Sequence, residues 1–466
     1  MLFSGIPFLY YFLPITLALY FLAPKRLKNA VLLLCSLVFY GWGEPKYLLL
    51  MLASIAQGYG FGLLIEKYRT KRRGKLFLTL SVVSGLLLLG YFKYANFFLD
   101  AFGRLTGLAV PTLQIALPIG ISFYTFQILS YAVDVYRGDT AAQRNPIDLA
   151  LYIAMFPQLI AGPIVRYTDI AAQLRDRRTT LDDAAVGARR FVLGLAKKTL
   201  LANVLGELVS AYGAAKVPTV LFTWLYAVAF LLQIYFDFSA YSDMAIGLAR
   251  IFGFRLTENF NYPYCSSSIT EFWRRWHISL GSWFRDYLYI PLGGSRVGKG
   301  RLLFNLLLVW TATGLWHGAA WNFVLWGLFY AVLLMIEKSV LLPFLRRHRI
   351  FGHCYTLLLV LLGFVLFDAH DVSAAFARIG TMFGAGSVGL AGTEALYYLR
   401  SYAVLLALAI VGATPLPKRL IARVGGSRVG RLLLPVLEPI ALTVLLLVCT
   451  AYLVDGSFNP FLYFRF

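Results

Sequence analysis

Apolar segments recur along this chain from Pro7 to Leu453 with no long polar interval between them. A membrane-spanning helix needs about 20 apolar residues, because every backbone polar group must be satisfied within the segment. Candidate spans or half-spans fall at 6–23, 29–42, 46–65, 76–98, 117–135, 148–162, 192–212, 217–236, 302–315, 319–337, 355–369, 399–415 and 434–454. Several are too short to cross alone, and short pieces at membrane depth are tolerated only where protein surrounds them or where they line a cavity. The expectation is an all-α polytopic membrane protein with about eleven crossings plus re-entrant or short helices. A single membrane domain is expected, with N-terminal helices over 6–138, a core over 147–337 and C-terminal helices over 355–466. Only 14% of the residues are charged, against roughly 25% in a soluble domain.

A formal net charge of +21 raises the question of nucleic acid, and the distribution of the basic residues answers it. They cluster between apolar segments: Lys25, Arg26 and Lys28; Lys67 to Lys75; Arg166 to Arg190; Arg296 to Arg301; Arg346, Arg347 and Arg349; Lys418 to Arg431. That is the pattern of cytoplasmic loops, and no basic domain stands outside the apolar segments to bind nucleic acid. The loops at Gly43–Lys46 and Asp100–Thr112 carry little charge, so the N-terminus is expected to face outward across a bacterial cytoplasmic membrane. Segment 6–23 lacks the basic lead and small-residue cleavage site of a signal peptide and is expected to remain as a helix. Cys35, Cys265, Cys354 and Cys449 are scattered singly, which indicates neither a disulfide framework nor a zinc site.

The hexapeptide GGSRVG occurs at Gly293–Gly298 and again at Gly425–Gly430. The first copy runs on as GGSRVGKG, but Gly300 stands where a phosphate-binding loop requires Ser or Thr, and a plain cytoplasmic turn is the better reading. Of the five histidines, His348 and His353 sit in a basic polar loop and His370 ends an apolar run beside Asp368; these read as solvated or structural. His317 differs. It lies in Thr313-Gly-Leu-Trp-His-Gly-Ala-Ala-Trp-Asn-Phe-Val-Leu-Trp-Gly327 between two apolar segments, where an ionisable group is costly and usually faces a cavity. Gly314 and Gly318 allow close backbone approach, Trp316, Trp321 and Trp326 can wall a pocket, and Asn322 can orient a ring nitrogen. His277 lies in Glu271-Phe-Trp-Arg-Arg-Trp-His277, where Arg274, Arg275 and the later Arg285 can meet an anionic ligand, although an amphipathic surface helix explains the same spacing. Asp237 and Asp243 are acids within an otherwise apolar run. No serine elbow, HExxH or Cys/His pairing is present, which leaves a histidine base acting directly on a hydroxyl, sufficient for acyl transfer from a thioester.

Six passages carry a resemblance: Leu117–Gly138 (LPIGISFYTFQILSYAVDVYRG), Phe156–Arg166 (FPQLIAGPIVR), Gln233–Ala249 (QIYFDFSAYSDMAIGLA), Thr257–Gly294, Gly314–Gly327 (GLWHGAAWNFVLWG) and Asn459–Phe466 (NPFLYFRF). In these the chain resembles the membrane-bound O-acyltransferase family, and within it the branch that O-acetylates alginate. The resemblance implies a bowl of tilted helices with a central tunnel, a catalytic histidine at His317 and a second motif histidine at His277. It also implies acetyl-CoA as the cytoplasmic donor, with no permanently bound cofactor, and an exported polysaccharide as acceptor. The chain carries no glycan-holding domain outside the membrane, so an exported partner resembling SGNH-type hydrolases is expected to relay the acetyl group. One departure is visible: Asp368-Ala-His370 stands where the family suggests an Arg-Ala pair. Trp316, Asn322, Trp326, Arg274, Arg275 and Asp237 are the candidate substrate-binding residues, and no metal is expected. Relatives of this branch also act on peptidoglycan or load D-alanine, and these motifs do not separate the acceptors. A transporter would account for many spans and for membrane-depth acids, but no two-half repeat is visible. A silent scaffold for polysaccharide export would not need both motif histidines.

Overall fold

The computed structural model describes residues 1–160, 162–215, 217–386, 388–456 and 461–462. Ala161 of the Phe156–Arg166 passage, and all of the Asn459–Phe466 ending except Phe461 and Leu462, lie outside the described residues. Among those described, the regular structure is helical and no strand occurs. Seven helices among them are long and apolar enough to cross a membrane: Pro45–Tyr68, Arg72–Thr106, Val220–Ile251, Trp321–Arg347, Arg349–Asp368, Thr393–Gly412 and Arg428–Asp455, with a shorter apolar helix at Phe8–Leu22. Other expected spans are short or interrupted. The stretch at 148–162 breaks at Met155, and the one at 192–212 passes through a π-helical turn at Lys197–Ala202. The chain resolves into two compact units, Met1–Phe191 with Ser242–Glu258, and Val192–Tyr241 with Asn259–Phe466.

In the first unit α1 (Pro45–Tyr68), α2 (Arg72–Leu89) and α3 (Ile121–Arg137) pack on one another. Helix α3 is buried over most of its length, which is why it carries Ser122, Thr125, Gln127, Ser130 and Asp134: polar groups enclosed by protein can be hydrogen-bonded, as the Ser130 hydroxyl is to the Phe126 carbonyl at 2.9 Å. Helix α4 (Leu181–Ala196) crosses the last turns of α5 (Val220–Ile251) at Gly187 and Gly247. A Cβ on either glycine would lie 2.5 or 2.6 Å from the other's carbonyl oxygen, so neither position admits a side chain. Beside this crossing Arg190 donates through Nε and Nη2 to Asp243 at 2.9 and 2.7 Å, which accounts for one of the two acids in α5 as an ion-paired residue.

In the second unit α6 (Ile269–Arg275) is a short helix held at its start by two acceptors. The Ser268 side chain accepts from the Glu271 amide, and the buried Glu337 carboxylate accepts from the amides of Ile269 and Thr270 at 2.6 and 2.8 Å. Both meet the free N–H groups that every helix N-terminus leaves. Helix α6 ends at Trp276 and His277; the latter, at φ +45, turns the chain into α7 (Ile278–Phe284). Helices α8 (Lys299–His317) and α9 (Trp321–Ile336) then form a hairpin with three connecting residues. They are followed by α10 (Arg349–Asp368), α11 (Val372–Met382), Thr393–Gly412, α12 (Leu416–Gly426) and α13 (Arg428–Asp455). Along α13, Leu432, Val436, Leu447 and Val454 stay exposed, the surface of a helix whose solvent is lipid.

The two GGSRVG copies fold differently. In the first, Gly293 and Gly294 adopt positive φ in a turn and Gly298 caps α8. In the second, Gly425 and Gly426 end α12 while Ser427 caps α13 by accepting from the Gly430 amide. The helical turn Arg285–Tyr289 and a loop precede the first copy, not the strand a phosphate-binding loop needs.

Candidate functional site

The α8–α9 hairpin positions His317. Its helices touch backbone to backbone: a Cβ on Gly314 would come within 2.2 Å of the Phe323 carbonyl oxygen, and one on Gly327 within 2.3 Å of that of Trp310. This contact places His317, the last residue of α8 and only 5% exposed, against the first turns of α9. The imidazole stands edge-on to Trp326 at 5.1 Å and to Phe367 of α10 at 5.4 Å between ring centroids. It lines a cavity of about 20 Å³ together with Asp237, Trp276, Trp326, Phe364 and Phe367, closed on another side by Phe461 and Leu462. Such a volume admits about one water molecule.

Asp237 reaches this cavity as half of a buried ion pair. Its Oδ1 accepts from Lys198 Nζ at 2.6 Å, and its Oδ2 accepts from the Leu462 amide at 2.8 Å. The side chains of the pair are 5% and 2% exposed. Asp237 therefore anchors the C-terminal segment to the cavity wall. Asn322 is also engaged: its amide donates to the carbonyls of Ala369 at 2.8 Å and Phe367 at 3.4 Å, tying α9 to the end of α10. Its donors are directed at the backbone of α10, and its Oδ1 has no hydrogen-bond partner.

His277 does not line the same cavity but stands close behind it. Trp316 links the two histidines, with its ring 6.0 Å from the imidazole of His277 and 5.1 Å from that of His317. His277 Nδ1 lies 3.2 Å from Asn259 Oδ1, which also accepts from the hydroxyl and amide of Ser279 at 2.9 and 3.2 Å. An acceptor at that distance selects the tautomer protonated on Nδ1. Nε2 is then the ring's basic atom, buried and without a hydrogen-bond partner.

The remaining candidates lie elsewhere. Arg274 is exposed. Arg275 donates to Glu271 at 2.6 Å and lines a second, polar cleft with Arg346, Arg349 and His353. Arg285 pairs with its neighbour Asp286 at 2.6 Å. Asp368, at the departure from the family pattern, pairs with Arg378 of α11 at 3.0 Å, so the next helix supplies a guanidinium to this corner. Among the described residues no group of three or more His, Cys, Asp or Glu side chains could hold a metal ion. Sequence reasoning missed Lys198, Asn259, Trp276, Phe364, Phe367 and the Arg346–His353 side of the polar cleft. Only the cleft had left a signal, the basic run before α10, and that run also fits a cytoplasmic loop.

Comparison with known proteins bears on these elements directly. Residues 139–368 match the model of the membrane-bound O-acyltransferase family. The chain is 45% identical to the probable alginate O-acetylase AlgI of Azotobacter vinelandii over 83% of its own length and 79% of that protein. To the protein of the same description in Pseudomonas putida it is 41% identical, with 100% of both chains covered. It is also 34% identical to the peptidoglycan O-acetyltransferase of Helicobacter pylori, over 84% of this chain and 81% of that one. The family match takes in α4 to α10 and with them both motif histidines, the polar cleft and the cavity lining other than Phe461 and Leu462, and the relatives extend it over nearly the whole chain: this multi-pass membrane protein belongs to the membrane-bound O-acyltransferase family and is an acyltransferase.

Proposed function

We propose that the protein transfers an acetyl group from cytoplasmic acetyl-CoA to hydroxyls of an exported, alginate-like polysaccharide, with His317 as general base. The observation that carries this reading is the enclosure of His317 in a narrow aromatic cavity, in a chain whose relatives are described as alginate O-acetylases. His317 takes the proton of an acceptor hydroxyl as its oxygen attacks the thioester carbonyl. The tetrahedral intermediate collapses, the C–S bond breaks, and the leaving coenzyme A thiolate takes the proton held by His317, which returns to its neutral form. The acyl oxygen gathers negative charge in this step. Because the Asn322 amide is occupied with α10, the backbone N–H groups beside Gly318 are the better assigned donors to it. His277, buried against Trp316, positions that indole beside the reacting centre. Acetyl rather than a long acyl chain is supported by the relatives described as alginate O-acetylases. An exported SGNH-type partner relays the acetyl group from this site to the polysaccharide, and the N-terminus faces outward across the inner membrane.

A peptidoglycan acceptor is the second reading, supported by the Helicobacter pylori relative. One experiment tests the assignment: acetyl-CoA turnover by the membrane-embedded protein with its exported partner, at matched expression, for wild type, His317→Ala and His277→Ala. His317→Ala is expected to lose about 10²–10⁴-fold of the rate, the usual worth of a general base. Undiminished turnover in that variant would overturn the mechanism. Product analysis with alginate and with peptidoglycan fragments separates the two acceptors.

A further inference from the structure

We propose that the polar cleft beside α6 is a phosphate-binding site. Its volume is about 790 Å³, within the about 300–1,000 Å³ typical of small-molecule sites. Three guanidiniums, those of Arg275, Arg346 and Arg349, face into it against the single carboxylate of Glu271. That carboxylate is already engaged, accepting from the Ser267 amide and hydroxyl at 2.9 and 3.0 Å and from Arg275 at 2.6 Å. Burial alone would raise its pKa, but these hydrogen bonds and the Arg275 charge hold it below the usual carboxylate range. Arg346 and Arg349 are exposed and make no ion pair among the described residues. Arg419 of α12 adds a fourth positive charge within electrostatic reach of Cys265 in the cleft wall. His353 completes that wall, its Nδ1 3.2 Å from the Ser266 carbonyl oxygen. Guanidinium forks gathered on one cleft match the paired oxygens of phosphate better than any neutral ligand.

The location gives the cleft a purpose. Arg275 lines it, while the next residue, Trp276, lines the His317 cavity; successive Cα atoms are about 3.8 Å apart. The α6–α7 turn is thus a thin wall between the two. Glu337 clamps the start of α6 and Asn259 holds the turn at His277, so the wall is rigid. Phosphates bound in the cleft would lie across this wall from the His317 cavity, the arrangement expected of a ligand with phosphates at one end and an acyl thioester at the other. That the phosphates belong to the acyl donor rests on the function proposed above; that the cleft takes a phosphate does not. The headgroup of an anionic lipid is the other source of the same chemistry, and the basic loop before α10 suits either on the cytoplasmic side.

The test uses wild type and Arg346→Ala/Arg349→Ala in phosphatidylcholine nanodiscs, with coenzyme A binding measured by calorimetry. In parallel, retention of phosphatidylglycerol is measured by native mass spectrometry, and matched melting curves confirm the fold of the exposed double variant. At least tenfold weaker coenzyme A binding in the variant assigns the cleft to the donor. Unchanged coenzyme A binding with loss of phosphatidylglycerol assigns it to a lipid headgroup. If neither ligand responds, the proposal is overturned. Because binding requires no turnover, a protein that binds coenzyme A through this cleft yet transfers no acetyl group would refute the proposed function and leave the site standing.

Discussion

Asp237 illustrates how much of a single residue's role depends on partners distant in sequence. An acid in the middle of an apolar helix stands out in the sequence, and its placement beside His317 invites a catalytic assignment. The structure gives its two oxygens to Lys198 and to the Leu462 amide. Lys198 could not be identified as the partner beforehand, since it sits within an apolar stretch 39 positions away and reaches the core from the π-helical turn at Lys197–Ala202. Such a turn adds a residue to the helical repeat and rotates the following side chains. Removing one member of a buried pair leaves the other charge uncompensated and costs about 3–5 kcal/mol, whereas removing both costs much less. Lys198→Met and Asp237→Asn are each expected to lower thermal stability strongly in detergent, and the double variant to recover most of the loss. Melting curves of the four proteins form a double-mutant cycle. A double variant as unstable as the sum of the singles would show that the pair is not coupled.

At the scale of elements, the α8–α9 hairpin was the part of the site most legible in sequence. Two apolar segments, a short Gly-Ala-Ala connection and glycines on both sides of His317 specify a close helical turn whatever surrounds it. The aromatic wall from α10 was not legible, because Phe364 and Phe367 look like any apolar helix until the fold sets them against the imidazole. Nor did the alternation at the end of α6, which sends Arg275 to one cavity and Trp276 to another, follow from periodicity: the left-handed φ of His277 breaks the helix there. The hairpin yields a sharp expectation. Gly314→Ala would set a methyl 2.2 Å from the Phe323 carbonyl oxygen, and backbone on both sides leaves no cheap relaxation. A loss of about 1–3 kcal/mol, the usual cost of overpacking, is a lower bound for so short a contact. Gly300→Ala, near the start of the same helix with nothing within 4 Å of the new methyl, should be neutral or stabilising by up to about 1 kcal/mol. Thermal melting of both, with acyl transfer as a second readout, checks this. Equal behaviour of the two variants would mean that the helices separate without cost.

For the whole molecule, the basic loops and the helix lengths make independent statements about orientation that must agree. The positive-inside pattern predicts a cytoplasmic Lys67–Lys75 loop. The helix that follows, Arg72–Thr106, has 35 residues, about 52 Å at 1.5 Å per residue, against about 30 Å of hydrocarbon. It is long enough to cross and to extend beyond the hydrocarbon, so its two ends are expected on opposite sides. Lys71→Cys is therefore expected to react with a membrane-impermeant maleimide only after spheroplasts are opened, and Leu108→Cys to react in intact ones. The native thiols permit a clean background: Cys35 and Cys449 are buried, so only the exposed Cys354 and the partly exposed Cys265 need replacement by serine. Labelling of both positions from the same side would mean that this long helix folds back within the membrane. The outward N-terminus would then fail, together with the cytoplasmic assignment of every basic loop that depends on counting crossings from it. Labelling from opposite sides, with Lys71 inside, would place the Lys67–Lys75 loop on the face from which the donor is proposed to enter.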